Sequence, residues 1–155
     1  MAKITGVGAA IAGSAKIGPP GPPHSYFGAA RALIPGAKVL ATASPCPSHA
    51  LCLVVGFALE GLLKAYLSRN GPDKTLKNSK IQHDLVGLWE KAFCQGLPIS
   101  KIPPSWVSGL NELHSGPNYH LRYPDKVHGI VMPPTEPMTT DLAALLEVVR
   151  KQLNL

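Results

Sequence analysis

The residues best suited to chemistry in this sequence are Arg122 and His128, which stand close together late in the chain. An arginine can hold a phosphate through two hydrogen bonds and stabilise the charge of its transition state. A histidine changes protonation near neutral pH and can serve as general acid or base. Together they could cleave a phosphodiester without a metal, provided that both side chains reach one phosphate. The alternative is a structural Arg122, bonded to a carboxylate or to helix carbonyls, with Tyr123 packed beside it.

A second group of polar residues precedes this pair. Glu60 and Lys64 lie one helical turn apart in a long apolar run, and His83-Asp84 stands just before a later apolar stripe. Glu60 and Lys64 could form an ion pair on the solvent side of their helix, or face a groove and hold a loop or ligand. Asp84 suits a helix N-cap. His83 could bond to the backbone or lie near a phosphate or base.

Metal and cofactor sites are not indicated. The spacing of His114, His120 and His128 fits no zinc pattern, and the three cysteines form no CxxC pair. The glycine-rich phosphate loops of P-loop and dinucleotide-binding proteins are missing, as is the GxSxG turn of serine esterases. We therefore expect no metal and no cofactor. Unpaired cysteines favour the cytoplasm.

The elements that must position these residues are helices. The apolar spacing predicts no strand and an all-α, up-and-down bundle of four or five helices. The first helix should be kinked or split at Pro35-Gly36, Ser48 should cap the second, and residues 120 to 137, rich in proline, should be irregular. The predicted helices cover residues 26–43, 49–69, 85–95, about 106–113 and 141–153.

Residues 1–24 form a separate segment in this interpretation. They are rich in Gly, Ala and Pro, which predicts a flexible arm before a helical domain at 25–155. The longest apolar run, within the second helix, is short for a membrane span, so we expect no membrane partner. The net charge of +6 permits a polyanionic partner such as nucleic acid.

Three stretches resemble the HEPN superfamily of small helical domains. They are Ala58 to Leu67 (ALEGLLKAYL), His83-Asp84-Leu85, and Leu121-Arg122-Tyr123-Pro124, in that order, within roughly residues 26–153. The resemblance implies a bundle of four or five helices that commonly dimerises. Many members look like metal-independent RNases of toxin–antitoxin or phage-defence systems, some with a nucleotidyltransferase-like partner. Their catalytic signature is an Arg followed by a His four to six residues on.

Arg122 and His128 match that spacing, but Tyr123 and Pro124 depart from the usual polar residue after the arginine. The leading hypothesis is therefore a non-catalytic domain that binds a nucleotide, RNA or a partner protein beside Glu60, Lys64, His83 and Arg122, with Asp84 and Tyr123 at the same site. A metal-independent endoribonuclease and a purely structural dimerisation module are the alternatives. All three require Arg122 to return to the Glu60–Lys64 pair in the folded chain.

Overall fold

A computed structural model describes residues 21–78, 81–115, 119–123, 129 and 131–155. In these ranges the chain forms five α-helices, one short 3-10 helix and no strand, which confirms the predicted all-α bundle. The α-helices are α1 (His24–Thr42), α2 (Ser48–Leu67), α3 (Leu85–Cys94), α4 (Ser105–His114) and α5 (Thr135–Gln152). The 3-10 turn, Lys74–Lys77, lies between α2 and α3.

Helix α2 forms the centre of the bundle and contacts the other four helices. Thirteen of its residues are buried, among them both Glu60 and Lys64. Among the described helices, α2 is also the one long and apolar enough to cross a bilayer, and 72% of its apolar window is buried inside the bundle. An apolar surface on nearly all sides is the composition that a helix surrounded by other helices requires.

A glycine allows α1 to approach α2 closely. A Cβ at Gly61 would lie 3.0 Å from the Cβ of Ala30 and 3.2 Å from the carbonyl oxygen of Tyr26, so any larger residue would push the helices apart. Gly61 thus approaches the backbone of α1, whereas Gly56 faces a side chain from α4.

Three details of the helix predictions are wrong. Helix α1 is not split at Pro35 but continues through it, because an exposed proline costs one backbone hydrogen bond while the helix keeps its packing against α2 and α5. Ser48 is the first helical residue of α2, after Pro47 at the cap position. Helix α5 begins at Thr135, before the predicted start, because Pro137 lies in the first turn, where backbone N–H groups have no helical acceptor.

Tryptophan side chains fasten the smaller helices to their surroundings. Trp89 of α3 donates its indole N–H to the carbonyl oxygen of Ser100 at 2.9 Å. Trp106 of α4 donates to the Asp141 carboxylate of α5 at 2.8 Å. Asp141, predicted to start the last helix, therefore lies inside α5 and joins it to α4. The second link fixes the start of α4, and a site residue is found at the other end of this helix.

Candidate functional site

A buried carboxylate forms the centre of the candidate site. Glu60 lies on α2 with 8% of its surface exposed. Lys64, one turn later and 5% exposed, donates to its Oε1 at 2.7 Å. An ion pair this deeply buried is costly unless its remaining polar atoms are also bonded. The pair does not lie on a solvated face.

Two histidines bond the second carboxylate oxygen. Nδ1 of His83, before α3, lies 3.0 Å from Oε2 of Glu60, and Nε2 of His114, at the end of α4, lies 2.8 Å from the same atom. A carboxylate only accepts hydrogen bonds, so both ring nitrogens must donate. This assigns the proton of neutral His83 to Nδ1 and that of neutral His114 to Nε2.

His114 is fully buried, and Gly56 provides the space for its ring. A Cβ at Gly56 would lie 2.6 Å from Nδ1 of His114. Within the described part of the chain, that Nδ1 has no hydrogen-bond partner. An unprotonated nitrogen can occupy such a place at small cost, whereas a buried N–H without an acceptor is expensive. The pocket therefore suits the tautomer that carries its proton on Nε2 and its lone pair on Nδ1.

Arg122 lies against the outer side of this cluster. Its Nη1 is 3.2 Å from Nε2 of His83, and its Nη2 is 3.0 Å from Nδ1 of the same ring. Nη2 is also 3.8 Å from Oε2 of Glu60. The guanidinium thus spans both nitrogens of the His83 ring. Since Nδ1–H of His83 donates a hydrogen bond to Glu60, only Nε2 can accept a hydrogen bond from the arginine.

Aromatic rings surround the arginine. The guanidinium carbon lies 4.9 Å from the ring centroid of Phe57 and 5.9 Å from that of Tyr119, within the range of cation–π attraction. Phe57 in turn meets the edge of His114, with centroids 5.3 Å apart. Nε of Arg122 is buried and has no hydrogen-bond partner among the described residues. It could meet an acceptor from outside the chain only if the side chain moved outward.

A short turn presents Arg122 to the cluster. Backbone N–H groups of Arg122 and Tyr123 both donate to the carbonyl oxygen of Tyr119, at 2.8 and 2.9 Å. Tyr119 has φ of 45°, a left-handed conformation that residues other than glycine seldom adopt. Buried Leu121 anchors the turn, since its carbonyl oxygen lies 2.9 Å from Nε2 of His49 on α2. The turn therefore holds the arginine beside α2.

The charge state of Glu60 follows from these contacts. Burial by itself raises the pKa of the Glu60 carboxyl. Hydrogen bonds from His114, Lys64 and His83 outweigh that effect, and the pKa falls from its ordinary 4.5 to about 2. With Glu60 ionised, Lys64 balances its charge. Arg122 then gives the cluster a net charge of about +1 when both histidines are neutral.

Glu60, His83 and His114 each offer one metal-ligating atom, and these atoms lie within 4.8 Å of one another. A metal on Nε2 of His114 would force the proton onto Nδ1, which is buried and for which the described residues supply no acceptor. Lys64 and Arg122 already place two positive charges beside the carboxylate. The donor set thus fits a hydrogen-bonded cluster better than a divalent cation.

The structure brings together four of the residues singled out in the sequence: Glu60, Lys64, His83 and Arg122. Asp84 instead caps α3 by accepting from the N–H of Gly87 at 3.0 Å, the structural role predicted for it. The Tyr123 side chain is 66% exposed at the edge of the site. His128 lies outside the described residues.

Sequence reasoning missed His114, Phe57 and Gly56. His114 had been considered only with two other histidines as a metal set, and His120 does not belong to the metal-capable group among the described residues. The available signal was its spacing, because His114 follows Leu110 by one turn on the buried face of α4. A histidine at a core position needs a hydrogen-bond partner, and a glycine opposite it marks where the ring fits.

Comparison of the chain with protein-family models, curated proteins and solved structures found no match in any of the three. The resemblance to HEPN domains therefore depends on the short sequence stretches named above.

Proposed function

We propose that this chain is a non-catalytic HEPN-like domain that binds RNA or a nucleotide through the phosphate, with Arg122 as the main contact. The observation that carries the proposal is the position of its guanidinium. The side chain is 24% exposed, it lies 3.8 Å from the Glu60 oxygen, and that oxygen already accepts from two histidines. Arg122 is thus the cation of the cluster whose charge is least neutralised.

Charge supports an anionic ligand. Lys64 and Glu60 form a close pair, so the additional charge of Arg122 faces outward. The whole chain carries +6, which adds a favourable long-range potential for a polyanion. Guanidinium groups recognise phosphate through two parallel hydrogen bonds. Nε of Arg122, buried and without a partner among the described residues, could supply one of them if the side chain turned outward.

Exposed aromatic rings support a single-stranded nucleic acid or a nucleotide over a duplex. Phe57 is 38% exposed and Tyr123 is 66% exposed, and both are close to Arg122, the first in space and the second in sequence. Unpaired bases stack on aromatic side chains, whereas paired bases cannot. An arginine flanked by aromatic rings is the arrangement that binds a phosphate and an adjacent base together.

The test is binding of a uridine octamer at low salt, where phosphate-driven affinity is greatest. We expect Arg122→Gln to weaken binding roughly 10-fold or more, since a charge-assisted hydrogen bond contributes about 1.5–3 kcal/mol. The matched control is Arg150→Gln, which removes the same charge from a 43% exposed arginine on α5. Equal losses in the two variants, or no binding by the wild type, would contradict the proposal. Binding of a partner protein without binding of RNA would replace the phosphate-binding proposal by the partner-protein hypothesis.

A metal-independent endoribonuclease is the second candidate, and the Glu60–His83 hydrogen bond is the observation that favours it. A carboxylate that holds Nδ1–H makes Nε2 the basic nitrogen of the ring. Nε2 faces Nη1 of Arg122 at 3.2 Å in this structure and would become a free base once the guanidinium turned to a phosphate. His83 would take the proton of a ribose 2′-hydroxyl, and the 2′-oxygen would attack the phosphorus held by Arg122. The bond to the 5′-oxygen would break, and that oxygen would receive the proton from His83.

Products would be a 2′,3′-cyclic phosphate and a 5′-hydroxyl. Cleavage in EDTA, abolished by His83→Asn but kept by His128→Asn, would support this role for His83. The opposite pattern would assign catalysis to the Arg122–His128 pair. Toxicity on expression, relieved by a nucleotidyltransferase-like partner, would place such an enzyme in a toxin–antitoxin system. Homodimerisation, common in HEPN domains, remains part of the proposal and is measured by analytical ultracentrifugation.

A further inference from the structure

The contacts of His83 depend on its being neutral. Its Nδ1–H bonds Glu60, and its Nε2 faces Nη1 of Arg122 at 3.2 Å. A second proton can only go to Nε2. It would remove the acceptor for Arg122 and place a new positive charge directly against the guanidinium. The Glu60 bond, in contrast, would become stronger, because a charged donor would face a carboxylate.

We propose that protonation of His83 releases Arg122 from the cluster, so that anion binding at this site strengthens as the pH falls. The inference rests on the proposed phosphate-binding function and adds its regulation. His83 in its charged form takes over as the cation beside Glu60. Arg122 is the partner that leaves, because its 3.8 Å contact with Glu60 is the longest in the cluster and its side chain is the most exposed of those around Glu60.

The other polar and charged groups around His83 are held by contacts of their own. Glu60 stays ionised, because the three hydrogen bonds described above hold its pKa at about 2. His114 lacks an acceptor for a second proton at Nδ1. Lys64 is bonded to the far oxygen of Glu60. Tyr119 meets the His83 ring edge-on, with centroids 6.0 Å apart, and Asp84 is bonded to the start of α3.

Release has a direct readout that needs no ligand. Nε of Arg122 is buried, so its N–H should be protected from exchange with water at about pH 8 and lose that protection at about pH 5.5, the range in which histidines change charge. Intrinsic exchange of such a group slows toward acid, so faster exchange would report opening. His83→Asn keeps a neutral donor for Glu60 and cannot gain a proton, and the Arg122 signal should then stay protected. Persistent protection in the wild type would overturn the proposal.

The binding consequence is measured with a uridine octamer by calorimetry, at constant ionic strength, because neither uracil nor a phosphodiester changes charge in this pH range. We expect the wild-type Kd to fall roughly 10-fold or more from about pH 8 to about pH 5.5, the interval in which histidine titrates. The Kd of His83→Asn should change far less over the same interval, and that residual change measures what the other histidines contribute to the pH dependence of binding. Equal pH dependence in both proteins would overturn the proposal. Acid-induced exposure of Arg122 without RNA binding at any pH would refute the phosphate-binding function and leave the release itself established.

Discussion

Gly56→Ala tests whether the room for His114 is a requirement of the fold. The added Cβ would lie 2.6, 3.1 and 3.2 Å from Nδ1, Cε1 and Cγ of the His114 ring. Contacts below 3.0 Å cannot persist, and the fully buried ring has no solvent side toward which to move. The substitution must therefore displace the ring or move α2 away from α4.

The magnitude follows from opposing terms. Alanine gains about 1 kcal/mol over glycine in a helix interior. Overpacking a core costs about 1–3 kcal/mol, and loss of the hydrogen bond between His114 and Glu60 adds about 1.5–3 kcal/mol. We expect a net destabilisation of about 1.5–5 kcal/mol, which lowers Tm by roughly 3–20 °C in a domain of this size.

Gly28→Ala is the matched control for this experiment. Gly28 lies within α1, and a Cβ there would meet nothing within 4 Å. This variant should gain up to about 1 kcal/mol from helix propensity alone. Thermal and urea unfolding of both variants measure the difference. If Gly56→Ala were as stable as Gly28→Ala, the packing described for His114 would be wrong.

Three further predictions concern the same core. Glu60→Gln should destabilise the protein by about 3–5 kcal/mol, because Lys64 is left as an unpaired buried charge. Lys64→Met should lower the free energy of unfolding, measured in urea, by less than Glu60→Gln does, because the carboxylate keeps its histidine donors. A larger loss for Lys64→Met would contradict the hydrogen-bond assignment. The lowered pKa of Glu60 means that its stabilisation is complete above pH 4.5 and is lost as the pH falls toward 2, a change of about 3 kcal/mol. The free energy of unfolding, measured at a series of acid pH values, should show this loss in the wild type but not in Glu60→Gln. Exposed Cys94 should react at once with a thiol reagent, whereas Cys52 should react only after unfolding, because burial and the nearby Cys46 raise its pKa to about 11; rapid labelling of both would place Cys52 outside the core.

The helical pattern was sufficient to predict the bundle, since the buried residues of α3 recur at helical spacing and most of α2 is buried and apolar. Helix ends were less predictable, because they depend on where a proline falls within a turn. Pro35 indicated a break, yet the contacts of α1 with its neighbours keep the helix intact. Pro137 indicated an irregular segment, yet the first turn of a helix accepts proline.

The candidate site was predictable only in part. The sequence stretches that resemble HEPN domains placed Glu60, His83 and Arg122 in one region, and the structure has them in contact. The place of His114 could not be derived, because it requires knowing that the end of α4 faces Gly56 across the bundle. Spacing along one helix predicts which face is buried, but it does not predict which residue of another helix lies opposite.

The central position of α2 has a consequence for biosynthesis. During translation this helix leaves the ribosome well before α5, which begins at Thr135 and later packs against it. Until then the nascent chain presents a segment with the length and composition of a membrane anchor. Glu60 and Lys64 both lie within this segment, and ionised side chains of this kind oppose insertion into lipid. The buried acid–base pair that organises the folded site therefore also makes the unpacked helix a poorer membrane anchor than its apolar residues alone would make it.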